Sequence, residues 1–367
     1  MLSFPLDFLL KSGLEQQING ECVTRMTKRV FMYATHPTLV DHESLTFHKR
    51  GFEVYTAAWA TNTRSMYIDS SNITLNPKHP YKGFCDFLTD DEISILSNID
   101  VNMRNPQYSP DIQKLLLDKF DVLYVSQITP WLMLYSEEFL KQGKPVIFRT
   151  LGFPFNAWGA PCNWEIFWKY PTFYPLATNP AEIELKLFGN HEVPQILTSM
   201  HRELVNVEDR HYDGKFALSV NQITDQAEVI IRNQLEQVIQ WVLVDRNRSF
   251  VSQYDLEKLF NCCYLFLDTT EHLLRYSTFE AIFHNKPLIV YDGGDMHKFM
   301  VKTGFSSGIG YTYSGYNDYD RLKFYADNQG AMEQLFAAEK HWVDGLLTEA
   351  EEKWDKFFEE CIWRNIV

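Results

Sequence analysis

Arg275, Ser277, Thr278 and Glu280 stand close together just before and within a short apolar run, Phe279, Ile282 and Phe283. A helix opening here would turn the free N–H groups of its first turn, and the positive end of its dipole, toward Ser277 and Thr278. That setting favours an anion such as a diphosphate. Arg275 would add positive charge, which also stabilises a phosphate group as it departs. Each residue has a plainer use as well. Ser277 stands three before Glu280, the spacing of a capping box that closes a helix end without any ligand, and Arg275 reads equally as an exposed side chain. Just upstream, Glu271 and His272 lie in a polar loop where they can hydrogen-bond hydroxyl groups.

A second group, His36, Asp41 and His42, follows the first apolar run of the chain. Histidine or aspartate in a cleft can take the proton of an attacking hydroxyl. Asp41 reads also as the N-cap of a helix through Arg50, which leaves His36 the better base. Arg149 and Asn221 each end an apolar run, at the carboxyl edge where open parallel sheets bind ligands. No His-Glu-x-x-His pattern occurs, and Asp292 with Asp295 in a Gly-rich turn reads as turn chemistry before metal binding.

The elements that position these residues alternate between strand and helix, which indicates parallel sheets. Strands are expected over 30–34, 52–55, 121–125 and 146–150, with helices over 41–50, 111–119 and 131–142. Gly51 closes the first helix. A helix is expected at 164–169, another at 179–188 with Asn179 capping and Pro180 following, and a last strand at 193–200. Residues 201–214 read as a linker. A new strand, 215–220, then leads into a long helix over about 225–242 and a further helix over 250–260. The opening cluster sits in a strand, loop, helix, strand unit: Cys263 to Leu267 is apolar, Pro287 stops the helix, and Leu288 to Tyr291 is apolar again. Helix is expected over 331–366, where Trp354, Phe357, Phe358 and Trp363 form an apolar stripe.

The order of residues in 262–295 resembles the donor-site motif of GT-B glycosyltransferases that use nucleotide sugars, the group 1 or family 4 enzymes in particular. The matching pieces are Thr269-Thr270-Glu271, then Tyr276-Ser277-Thr278-Phe279-Glu280-Ala281, then Asn285-Lys286-Pro287-Leu288-Ile289-Val290. The opening strand, polar loop, helix and Gly51-Phe52-Glu53-Val54 are similar to the first unit of the same enzymes. The resemblance implies an α/β chain of two Rossmann-like domains facing a central cleft, with a C-terminal helix crossing back to the first domain. The expected division is 1–27 as an extension, 28–205 binding the acceptor, 206–345 binding the nucleotide sugar, and 346–367 as the returning helix.

It further implies that Glu280 accepts hydrogen bonds from the two ribose hydroxyls. Ser277, Thr278, Arg275, His272, Asn221 and Arg149 would join it around the donor, while His36, Asp41 and Glu271 are the catalytic candidates. No cofactor or essential metal is implied beyond the nucleotide-sugar donor. Three departures from the family's pattern stand out. Eight residues separate Glu271 from Glu280 where the family usually has seven, so His272 occupies the expected place. His36-Pro37-Thr38 replaces the glycine-rich turn after the first strand, and no basic residue follows Val220 until Arg232, where many relatives carry Arg and Lys.

Composition bounds the partners. At 367 residues the chain suits two cores. Hydrophobic residues make up 45% and charged residues 22%, which fits a globular protein rather than a disordered one. A net charge of −14 repels phosphate backbones and disfavours nucleic acid. Six cysteines without Cys-x-x-Cys spacing read as reduced thiols in the cytoplasm. The amino terminus lacks the features of a signal peptide, no apolar run is long enough to span a bilayer, and any membrane contact would be peripheral. The expected reaction is sugar transfer to a hydroxyl of a glycan or other acceptor. The rivals are an epimerase or hydrolase on the same fold, a transferase acting on hydroxymethylated DNA bases, and a non-catalytic nucleotide-sugar-binding protein.

Overall fold

The computed structural model describes residues 28–34, 37–58, 87–97, 108–126, 129–150, 164–178, 191–205, 207, 215–220, 233, 237–244, 253–269, 276–305, 312–313 and 319–364. The first lobe is built on β1 (Lys28–Ala34), β2 (Phe52–Ala58), β3 (Val122–Ser126), β4 (Val146–Arg149) and β5 (Phe173–Leu176). They form one sheet in the order β2-β1-β3-β4-β5, parallel throughout. Helices α1 (Pro37–Lys49), α2 (Asp90–Ser97), α3 (Pro110–Lys119) and α4 (Thr129–Lys141) alternate with the strands. Because side chains alternate across a strand, the sheet sorts its residues into two layers. Phe31, Tyr33, Leu123, Val125 and Phe148 pack with Leu116 of α3 and Phe139 of α4. Val30, Met32, Val122, Tyr124 and Ile147 pack with Phe47 of α1 on the other face.

The second lobe repeats the plan with β6 (Phe216–Val220), β7 (Gln240–Val244), β8 (Leu265–Asp268), β9 (Leu288–Tyr291) and β10 (Thr312–Tyr313). Their order is β10-β9-β8-β6-β7, again parallel. In both sheets the chain lays one neighbour on one side of the first strand and the next on the other. The switch point, where a crevice opens at the carboxyl ends, therefore falls between β1 and β3 and between β6 and β8. Helices α5 (Gln253–Cys262), α6 (Tyr276–Phe283), α7 (Asp295–Lys302), α8 (Tyr319–Asp327) and α9 (Gln329–Phe357) belong to this lobe.

Helix α6 stops for a local reason. Lys286 N–H donates to Ala281 O at 2.8 Å and Asn285 N–H to Ile282 O at 3.0 Å, the paired bonds of a Schellman motif. Asn285 supplies the left-handed residue with φ 58°, a conformation asparagine tolerates. Gly51, φ 85°, ends α1 in the same left-handed region.

Helix α9 joins the lobes and continues through a π turn, Phe358–Ile362. Its Trp354, Phe357 and Phe358, together with Ile362, fill the Val30 layer of the first sheet. Arg50 at the end of α1 holds it there, with Nη2 2.6 Å from Asp355 and 2.9 Å from Glu351. The returning C-terminal helix expected from the sequence is thus present, and its apolar stripe is what docks.

Near its start α9 crosses β9, where the fully buried Glu339 accepts a hydrogen bond from Leu288 N–H at 2.8 Å. Its other carboxyl oxygen has no partner among the described residues, and burial raises its pKa well above the usual carboxylate range. A carboxyl raised in the folded state contributes stability that is present below its unfolded pKa and lost as pH climbs above it. Glu339→Gln, which mimics the neutral acid, is therefore expected to stabilise the protein at about pH 7 and to lose that advantage below about pH 4. Urea midpoints at both pH values check this, and an equal difference at the two would rule out ionisation as the cause.

The structure departs from the sequence reading in four places. Helix α1 begins at Pro37, so Asp41 lies a turn inside it and cannot be its N-cap; proline at a first helical position already suits that start. Residues 193–200 form no strand, only a single bridge from Gln195 to Ala177; side chains of the first lobe take the Ile196 and Leu197 carbonyl oxygens and the Ser199 N–H instead. Gln240 to Val242 belong to β7 rather than to the end of a helix: their partners in β6 make the pairing a tertiary choice. Finally, the beginning of the supposed linker, His201 to Val205, is a 3-10 turn packed against α1. The helix expected over 179–188 lies outside the described residues.

Candidate functional site

The carboxyl end of β8 and the start of α6 form the best-defined polar corner at a switch point. Asp268 ends β8 and is buried. Thr278 Oγ donates to Asp268 Oδ2 at 2.8 Å, tying the first turn of the helix to the tip of the strand. Glu280, two residues further along the helix, is 5% exposed. Ser277 is fully buried, and its Oγ has no partner among the described residues.

That orphan hydroxyl corrects the capping-box expectation. The helix starts at Tyr276, so Ser277 already lies inside the first turn and does not cap it. A buried hydroxyl without a partner is costly. At a helix N-terminus, where N–H groups lack intrahelical acceptors, it is chemistry suited to an anion's oxygen atoms.

Sequence reasoning passed over two residues here. Asp268 follows directly on the apolar run Cys263 to Leu267, and an acid at a strand tip just before a helix is a usable signal. Tyr276 carried no signal, because its role depends on the other lobe. Its hydroxyl donates to Ser199 O at 3.2 Å, and its ring stands 5.2 Å from that of His42.

The facing surface of the first lobe centres on α1 and residues 196–203. His42 is buried, and its Nδ1 accepts from His201 N–H at 2.6 Å. Burial first, then its neighbours His201 and Lys49, bring its pKa down to about 3. A neutral, buried imidazole with its lone pair engaged is a poor general base.

His201 is part of a directed chain of bonds. Lys49 Nζ donates to its Nδ1 at 3.1 Å, which leaves Nε2–H to donate to Thr46 Oγ at 2.8 Å. Thr46 then passes its own proton to His42 O at 3.2 Å. Burial and Lys49 both lower the His201 pKa, in keeping with a neutral ring.

Arg149, expected at a ligand edge, is instead 0% exposed. Its guanidinium binds Glu43 Oε1 at 2.9 Å and the carbonyl oxygens of Ile196 and Leu197 at 2.5 and 3.3 Å. With its guanidinium bonded to Glu43 and to these two carbonyl oxygens, the side chain holds Ile196 and Leu197 on the first sheet. The strand end lies where the sequence put it, and the acid that captures its arginine comes from α1.

His36, Asn221, Glu271, His272 and Arg275 lie outside the described residues, as does the side chain of Asp41. Asp292 and Asp295 form the turn expected of them: Gly294 precedes α7, and Asp295 pairs with Lys298 at 3.2 Å. Among the described residues no group of three or more His, Cys, Asp or Glu side chains could hold a metal ion. None of the described helices is long and apolar enough to cross a membrane.

No protein-family model matches the chain, and no curated protein matches it in sequence. Solved structures do match its fold. Anabaena HepE, solved with UDP-glucose, superposes with a TM-score of 0.54 at 8% identity over 90% of this chain and 99% of its own. S. aureus MnaA, solved with UDP, gives 0.52 at 15% identity over 91% and 98%. The chain spans 55% of the length of S. aureus TarM, which it matches over 65% of itself at 11% identity and a TM-score of 0.45. Two parallel Rossmann-like sheets, each with its switch point, and a C-terminal helix returning to the first of them give this chain the GT-B fold.

Proposed function

We propose that the protein transfers a glycosyl group from a nucleotide-diphosphate sugar to a hydroxyl of a glycan or other acceptor. The observation that carries this reading is the buried Ser277 hydroxyl in the first turn of α6, without a partner among the described residues, beside Thr278, Asp268 and Glu280. Structures of the same fold solved with UDP or UDP-glucose support a nucleotide sugar as the anion. On this reading residues 206–345 hold the donor and 28–205 the acceptor.

The acceptor oxygen attacks the anomeric carbon as the bond to the diphosphate breaks. The acceptor's proton passes to a base, for which His36 is the candidate. Charge that develops on the departing diphosphate is met by the N–H groups and the Ser277 hydroxyl of α6, with Arg275 adjoining. Glu280 accepts hydrogen bonds from the ribose hydroxyls and orients the nucleotide.

Calorimetry with UDP, GDP and ADP and their sugars tests this. One nucleotide is expected to bind, and Glu280→Ala to weaken it at least about tenfold, the scale of lost hydrogen bonds to a charged group. Equal affinity in the variant would remove Glu280 from the site. Binding without turnover of any donor, over a range of acceptors, would favour the non-catalytic reading.

A further inference from the structure

The first residue of α6 packs in part on the core of its own lobe and also reaches the first lobe. Tyr276 is half-buried, donates to Ser199 O and packs on His42. The segment that receives it is fastened to the first lobe on both sides of that carbonyl. Ser199 N–H donates to Glu43 Oε1 at 2.9 Å, and His201 N–H to His42 Nδ1 at 2.6 Å. Glu43 is itself locked by Arg149 at 2.9 Å and Tyr124 at 3.2 Å. The contact therefore ends in a buried, mutually bonded network. At the other end of the same helix the Arg202 guanidinium lies 5.3 Å over the Phe283 ring, and Arg202 pairs with Asp344 of α9. Residues 199–202 thus reach both ends of α6.

We infer that Tyr276 is a positioning residue, which sets the anion-binding first turn of α6 against the first lobe so that the donor turn and residues 199–201 move as one unit. What that turn binds rests on the proposed function above. The physical reason is adjacency: Ser277 and Thr278 follow Tyr276 directly, so any shift of the tyrosine against Ser199 displaces the groups that would hold the anion. Linkage then requires reciprocity. An anion that orders the turn must also order the segment, and freeing the segment must weaken the anion.

The test is hydrogen exchange at the Ser199 and His201 amides of the full chain, with UDP, GDP or ADP, whichever binds. The nucleotide is expected to slow both amides at least about fivefold, the lower end of typical coupling. In Tyr276→Phe, checked as folded by circular dichroism, the slowing is expected to vanish and the affinity to fall about three- to tenfold, as for one lost hydrogen bond. A purely structural tyrosine would lower the melting temperature and leave both readings unchanged. The inference is overturned if nucleotide binds the parent without slowing these amides, a result that needs no variant. It is also overturned if Tyr276→Phe keeps the parent's affinity and slowing. If none of the three nucleotides binds the parent, the donor-site reading falls and this inference with it, an outcome that calorimetry separates from the other two.

Discussion

Arg149→Met is expected to destabilise the protein by about 3–5 kcal/mol, the scale for removing one partner of a buried ion pair. Glu43 and Arg149 are both fully buried. Without the guanidinium, Glu43 would keep its bonds from Ser199 N–H and the Tyr124 hydroxyl but would stand as an uncompensated charge. Burial first, and then the Glu43 charge, raise the Tyr124 pKa well above its usual value, so the phenol stays a donor and cannot share the charge.

The loss would not be confined to the ion pair. Ile196 and Leu197 would also lose the donors on their carbonyl oxygens, and these begin the segment that supports Tyr276. The double variant Glu43→Gln/Arg149→Met is expected to recover a large part of the loss, because replacing a buried pair with neutral groups is often close to neutral. Urea unfolding of the two single variants and the double variant measures the coupling. A single-variant loss below about 1 kcal/mol would mean that the charge is not isolated as argued.

The second large effect belongs to Trp354. Trp354→Ala is expected to cost about 3–5 kcal/mol, as for other large aromatic truncations in cores. The ring is fully buried between Phe47, Phe357 and Phe358, with centroids at 6.0, 5.8 and 5.7 Å. The Arg149 guanidinium lies 5.2 Å over it.

Because α9 starts beside the second sheet and delivers this ring to the first, the cavity would open at the anchor between lobes. Exchange protection in β1 and α1 is expected to fall further than in β8 and β9. Trp354→Phe should cost much less, since its indole N–H has no partner among the described residues and most of the ring volume remains. Equal loss of protection in both lobes would contradict the view of α9 as an anchor on the first.

The strands were legible in the sequence wherever burial on both faces left an unbroken apolar run. Leu288 to Tyr291 lies between Pro287 and a Gly-rich turn, and β9 occupies those residues. Helix ends set by short-range chemistry were legible too, as at Gly51. The stripe of Trp354, Phe357 and Phe358 already implied a docked helix. The alternation of strand and helix pointed to parallel sheets, and the pieces from Thr269 to Val290 pointed to the GT-B fold.

Tertiary structure decided what each polar residue does, because its partners come from distant sequence. Arg149 and Asp268 both end strands, yet one is captured by Glu43 from α1 and the other by Thr278 from the helix that follows it. Ser277 had capping spacing, and the start of α6 at Tyr276 left its hydroxyl buried without a partner among the described residues. His42 looked available for proton transfer until the His201 amide closed on its lone pair. A spacing rule sees only bonds that close within a few residues; burial and long-range pairing choose which donor meets which acceptor, and they set the chemistry of the residues around α6.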